Sequence, residues 1–173
     1  MTAEDIKITL GLVPHPREGG WYIRTYESAE TVHPSTFPDA RYSDSRPVGT
    51  AIYYLLEHDS FSEMHRLKSD ELFHFYCGDP VEMLQLAEGR PGHVLRLGPN
   101  LQLGERPQVT VPRNVWQGSR LVPGGSFALL GCTVTPGFHF DDYESGDRAQ
   151  LARQWPEHRA LIHALTRPIS AGI

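Results

Sequence analysis

The chain's absences narrow its roles first. No apolar run approaches the roughly 20 residues that span a bilayer, and the opening residues, MTAEDIKITLG, are acidic and lack the apolar core of a secretory leader. A cytoplasmic protein with no membrane partner is the expectation. Basic residues are in deficit, with 16 Lys and Arg against 21 Asp and Glu for a net charge of −5. No basic stripe follows that would track a phosphate backbone, so nucleic acid is not an expected partner. Cysteine is scarce. Cys77 and Cys132 both sit in apolar, strand-like runs without the close spacing of a zinc pair, which predicts two buried free thiols. An HExxH helix, a Walker loop, a GxGxxG turn and a nucleophile elbow are all missing. Serine hydrolase, nucleotide hydrolase and Rossmann chemistries are thereby set aside.

What remains reads as one domain over residues 1–173, with room for a single core. Thr2 and Asp5 frame a short helix over residues 3–11, with Ile6 and Leu10 on one face. Pro14-His15-Pro16 ends it, and Arg17-Glu18-Gly19-Gly20 turns into a strand, Trp21–Tyr26. Residues 27–47, rich in Pro, Ser, Thr and Asp, read as a long loop, a lid or a dimer arm. From Thr50 the chain becomes short strands between turns: Thr50–Leu56, Phe61–Leu67, Glu71–Cys77, Val81–Ala87, His93–Leu97, Gln108–Val111, Val115–Leu121 and Ser126–Val134. Phe138–Tyr143 follows a Pro-Gly break. Helices over Arg148–Gln154 and Glu157–Leu165 close the chain. Strands followed by terminal helices predict a mainly β, antiparallel sandwich or barrel with helical cover.

The densest chemistry lies in FSEMHRLKSDELFHFYCG, Phe61–Gly78. It reads as two strands joined in a hairpin by Lys68-Ser69-Asp70. Alternation puts Glu71, Phe73 and Phe75 on one face and turns His74 away. A hairpin facing one interior brings His65 and Glu71 together in an aromatic pocket, a costly desolvation that marks chemistry or ligand binding. The other histidines default to surface or capping roles, except His139, which lies among aromatics.

These residues resemble the cupin superfamily. Its first motif, G-x5-H-x-H-x3–4-E-x6-G, has its counterpart in His65-x-Leu67-x3-Glu71-x6-Gly78, and its second, G-x5-P-x-G-x2-H-x3-N, in Pro112-x-Asn114-x2-Gln117. More specifically, LGLVPHPREGGWY, SEMHRLKSDELFHFYCGDP, RPQVTVPRNVWQ, LLGCTVTPGFHFDDYE and PEHRALIHALTR identify the chain as similar to the cupin-5 family over roughly residues 5–167. The resemblance implies a double-stranded β-helix, or jelly roll, with a ligand cavity at one mouth, and a homodimer. It departs from the metal-binding pattern at Leu67 and Gln117, which stand where histidines serve as ligands. Arg24 replaces a glutamate that precedes Thr25-Tyr26 in other members, which implies a ligand of opposite charge if that position lines the pocket.

Three readings follow. The first is a metal-independent isomerase, epimerase or lyase acting on a small polar molecule, a sugar or keto acid, with no cofactor. His65, held by Glu71, is its base, since an unperturbed imidazole pKa near 6.5 suits the task, and Tyr143 or Tyr53 is its acid. The second is a non-catalytic binding module with Phe73, Phe75, Trp116, Phe138, Phe140 and Arg24 around the ligand and His65 and Gln117 reading its polar groups. The third is an enzyme with a divalent metal on His65, Glu71 and Gln117.

Overall fold

In the computed structural model, which describes residues 1–167 of the chain, two antiparallel sheets face each other as a jelly roll. Helix α1 (Ala3–Leu10) starts in a reciprocal capping box between Thr2 and Asp5 and stops at Gly11 in the left-handed conformation. Strands β1 (Val13–Pro14) and β2 (Trp21–Glu27) flank a tight turn. After β3 (Thr31–Val32) and β4 (Arg46–Pro47) come β5 (Thr50–Glu57), β6 (Phe61–Arg66), β7 (Asp70–Gly78), β8 (Val81–Leu86) and β9 (His93–Leu97). Strands β10 (Gln108–Val111), β11 (Trp116–Leu121), β12 (Phe127–Thr135) and β13 (Glu144–Ser145) precede helices α2 (Arg148–Gln154) and α3 (Arg159–Ala164). One sheet runs β1-β2-β5-β12-β7-β10 and the other β13-β6-β11-β8-β9, while β3 and β4 pair by themselves.

Alternation along the strands builds the core. Tyr54, Leu56, Phe73, Met83, Leu97 and Leu130 point between the sheets and are fully buried or nearly so, each large aliphatic among them contributing about 1.5–3 kcal/mol. The outer face of β8 and β11 turns Leu84, Leu86 and Trp116 toward Leu151, Trp155, Ile162 and Leu165 of the terminal helices. Helix α1, through Ile6, and Leu12 just beyond its cap cover the other sheet against Leu55.

The expected hairpin of β6 and β7 is not one. The two strands lie in different sheets, and Leu67-Lys68-Ser69 arches between them. Each strand finds its partners elsewhere: His65 pairs with Gln117 on β11, and Glu71 with Val134 on β12 and Val111 on β10. Cys77 is exposed rather than buried, because a register shift between Leu129 and Leu130 inserts an extra β7 residue and reverses the alternation beyond Phe75. After the Pro-Gly break, Phe140–Asp142 form a 3-10 turn capped by the exposed His139. The last helix is split into a 3-10 turn, Pro156–His158, and α3.

The 27–47 segment is fastened to its own barrel. Arg46, 1% exposed, grips Asp142 with two parallel bonds of 2.7 and 3.0 Å. Tyr42 bonds Ser69 across 2.8 Å, and Asp39 pairs with Arg113. No helix among the described residues is long and apolar enough to cross a membrane.

The 15–20 turn is equally constrained. The Glu18 carbonyl accepts the Glu63 N–H at 2.9 Å, and the Tyr54 hydroxyl donates to the Gly19 carbonyl at 2.8 Å. Gly19 has φ +96°, and a Cβ there would collide with the Phe61 carbonyl oxygen. Gly19→Ala is therefore expected to cost at least ~2 kcal/mol, seen as a lower urea midpoint at unchanged m value.

Candidate functional site

The turn and the two sheets meet around a narrow cavity of about 50 Å³, room for a few water-sized groups. Its wall includes His15 and Glu18 from the turn, Tyr22 and Arg24 from β2, Ile52 from β5, Glu71 from β7 and Cys132 from β12, with Phe138 and Phe140 at the mouth. An outer vestibule of about 400 Å³ shares Arg24, Phe138 and Phe140 and adds Glu27 and Pro47.

Hydrogen bonds fix the proton positions. His65 is 0% exposed and its Nδ1 lies 2.7 Å from the Glu63 carbonyl, so Nδ1 carries a proton and donates. The Gln117 amide nitrogen lies 2.8 Å from His65 Nε2 and donates to Glu71 Oε2 at 3.0 Å. The Cys132 thiol donates to Glu71 Oε1 at 2.8 Å. Glu71 thus has a donor on each carboxylate oxygen. His15 is the reverse of His65: its Nδ1 accepts the Glu18 N–H at 2.9 Å, so its Nε2 carries the proton and faces Glu18 Oε1 at 3.7 Å. Among the described residues the Glu18 carboxylate has only distant donors: Ser62 at 3.5 Å, His15 Nε2 at 3.7 Å and His65 Nε2 at 3.8 Å.

Burial, aided by the charge on His65, pushes the His15 pKa down to about 4, so His15 is neutral. Burial pushes Glu18 up to about 7; His65 opposes the shift, and Glu71 and Glu63 add to it. For His65, burial pulls down, but the Glu18 and Glu71 carboxylates and the Glu63 carbonyl outweigh it and raise the pKa to about 9. Charge alone thus favours the imidazolium, whereas the bond from Gln117 needs a lone pair on Nε2. Both are met if His65 and Glu18 hold one proton between them. With the proton on Glu18, the Gln117 bonds stand as described. With it on His65, Nε2–H is directed at the Glu18 and Glu71 carboxylates, 3.8 and 3.9 Å away, and the Gln117 amide keeps only its bond to Glu71.

These shifts give stability a sign. Folded-state pKa values of Glu18 and His65 above their unfolded values mean that the native state binds more protons, at about pH 4.5–7 and 6.5–9 respectively, so stability falls as pH rises through both windows. His15 works oppositely between about 4 and 6.5 and offsets Glu18 there. The melting temperature is expected to decline from pH 6.5 to 9, less steeply in Glu18→Gln.

Of the residues expected at the site, Glu71, Arg24, Phe138 and Phe140 line the cavity. His65 and Gln117 lie behind its wall, bonded to each other. Phe73 sits one layer deeper in the core, opposite Cys132, and Phe75 packs beside it away from the cavity. Trp116 points to the far side of its sheet, under the terminal helices. Tyr143 stacks on His65 with ring centres 4.8 Å apart, but its hydroxyl donates to Glu63 at 2.9 Å and burial raises its pKa, which makes it a poor acid. Tyr53 leans on Tyr76 at a distance from the cavity. Arg24 is paired with Glu27, so its charge is already answered. The residues that sequence reasoning passed over are His15, Glu18, Tyr22 and Cys132. The available signal was Glu18 set directly before two glycines, a backbone that only a fixed turn requires.

The sequence matches the cupin-5 family, described as Cupin superfamily (DUF985), over residues 4–146. The chain belongs to this family. Among solved structures, this cupin resembles a protein from Shewanella oneidensis at 34% identity, covering 97% of this chain and 99% of that one, with a TM-score of 0.85. A hypothetical protein from Leishmania major is 31% identical over 97% and 100% of the two chains, with a TM-score of 0.86. Oxalate decarboxylase from Bacillus subtilis shares the fold at 12% identity and a TM-score of 0.52, over 89% of this chain and 37% of that one. The sequence finds no match among curated proteins.

The fold raises the question of a metal. Among the described residues, no three His, Cys, Asp or Glu side chains are placed to hold one. The donor chemistry gives the reason. Gln117 occupies the His65 lone pair, His15 presents N–H rather than a lone pair, and Leu67 is apolar. As arranged, these residues do not fit a resident metal ion.

Proposed function

We propose that this cupin is a metal-independent isomerase or epimerase that moves a proton next to the carbonyl of a small polar substrate. The observation that carries the reading is the pairing at the cavity wall: a buried carboxylate, Glu18, whose pKa is raised to about 7, faces the Nε2–H of a neutral His15 across 3.7 Å. A base with a pKa near the working pH is suited to take and return a proton, and a glutamate base beside a neutral imidazole donor is an established arrangement for enolisation. The Glu18 carboxylate removes the α-proton. The electron pair moves into the carbonyl, and His15 Nε2–H bonds the developing oxyanion. Glu18 then returns the proton to the former carbonyl carbon while the neighbouring hydroxyl proton passes to the oxyanion, or, once the enediolate has turned over in the site, to the opposite face of the same carbon, so nothing is gained or lost overall. His65 and Glu71 set the charge around Glu18, and Tyr143 with Glu63 holds the imidazole of His65 in place.

The run of bonds that ties Gln117, His65, Glu71 and Cys132 together supports a second reading, a rigid binding module without turnover. Proton NMR in heavy water separates the two. Small α-hydroxy and α-keto carbonyl compounds are incubated with chelator-treated protein, and deuterium appearing at the α-carbon above the uncatalysed rate supports the isomerase. Binding without exchange leaves the module.

A further inference from the structure

We infer that the inner end of the ligand is a neutral α-hydroxy carbonyl, the reactive end of an open-chain sugar, and not the carboxylate of a keto acid. This deepens the isomerase reading and rests on it for the location of the site. Glu18 and Glu71, only 7% and 5% exposed, both line the chamber. Among the described residues neither forms an ion pair with a lysine or arginine; the basic groups nearest them are His65 and the neutral His15, and Arg24 of the cavity wall is already paired with Glu27. A carboxylate entering this space meets buried negative charge at close range and low dielectric, which costs far more than in water. A hydroxyl instead finds an acceptor. Among the described residues Glu18 Oε1 has no donor within hydrogen-bond distance, the nearest being His15 Nε2 at 3.7 Å and His65 Nε2 at 3.8 Å.

The His15 Nε2–H is the matching donor. Acceptor and donor side by side read a hydroxyl and an adjacent carbonyl together: the O–H donates to Glu18 and the C=O accepts from His15. Tyr22, Phe138 and Phe140 supply flat apolar walls for the carbon chain. With about 50 Å³ inside, only two or three substituted carbons enter, and the rest of the molecule lies in the vestibule.

The test is ligand-observed NMR and calorimetry at pH 7 with dihydroxyacetone, pyruvate and propylammonium on metal-free protein. Dihydroxyacetone is expected to bind at least tenfold more tightly than pyruvate. Glu71→Gln, which removes the charge but keeps the shape, is expected to narrow that ratio severalfold by admitting pyruvate. Glu18→Gln serves the same purpose if Glu71→Gln does not fold. Equal or tighter binding of pyruvate, preference for propylammonium, or no binding of dihydroxyacetone overturns the inference. Selective binding without α-proton exchange keeps it and removes the isomerase. Exchange in pyruvate but not in dihydroxyacetone does the opposite.

Discussion

Glu18→Gln is expected to lower α-proton exchange by about 10²–10⁴-fold, the range lost with a general base, while the protein stays folded. Glutamine fills the same space, and among the described residues the Glu18 side chain makes no hydrogen bond shorter than the 3.5 Å contact with Ser62, so little packing is lost. The variant also removes the group that burial holds near pKa 7. Wild-type exchange is expected to rise with pH up to about 7 and then level off, and the variant is expected to lack that rise. His65→Gln tests the alternative base. It leaves the cavity wall intact, since His65 is behind it, and is expected to shift the pH limb more than the plateau. If Glu18→Gln keeps activity within a few-fold of wild type and His65→Gln loses it, the base is His65 and the cavity as described is not where the proton moves.

Arg46→Leu is expected to destabilise the fold by about 3–5 kcal/mol, the cost of leaving a buried carboxylate without its partner. Asp142 is 5% exposed and its other cation, Lys68, stays 3.7 Å away, too loose to replace two bonds from a guanidinium. For a chain of this size the melting temperature falls by roughly 6–20 °C. Adding Asp142→Leu is expected to recover part of the loss, because two apolar side chains leave no orphaned charge. A single variant as stable as wild type would mean that Asp142 reaches solvent and that the 27–47 segment is not held by this pair.

Strand positions were legible in the sequence because side-chain alternation is local: β9 and β10 fall on their expected limits, and β5, β8 and β11 within a residue of them. Partnership was not. Lys68-Ser69-Asp70 has the composition of a hairpin turn, yet here it is an arch, because the β6 and β7 edges are better matched by β11 and β12 far along the chain. The site followed the same division. His65 and Glu71 do come together, 3.9 Å apart, as their common interior required. The groups that reach the cavity, His15 and Glu18, arrive from a turn some fifty residues earlier, and periodicity says nothing about where a turn is folded in. Phe73, Phe75 and Trp116 show the converse: correct strand assignment still left open which layer, or which side of the sheet, each aromatic would fill.

The arch also bears on the order of assembly. The arch is one of the three shortest links between the sheets, beside His58-Asp59-Ser60 between β5 and β6 and Asp79-Pro80 between β7 and β8, and closing loops of this length loses little entropy. The run from β5 to β8 is therefore the natural first meeting point of the two sheets, and His65 and Glu71, both within it, become neighbours early. The 15–20 turn docks onto Phe61 and Glu63 across more than forty residues of chain, and closes late. Until it does, the barrel mouth lacks both Glu18 and His15. Proton-transfer competence is thus expected to lag behind burial of the tryptophans during refolding, a delay that stopped-flow fluorescence and an exchange assay on the same sample would resolve.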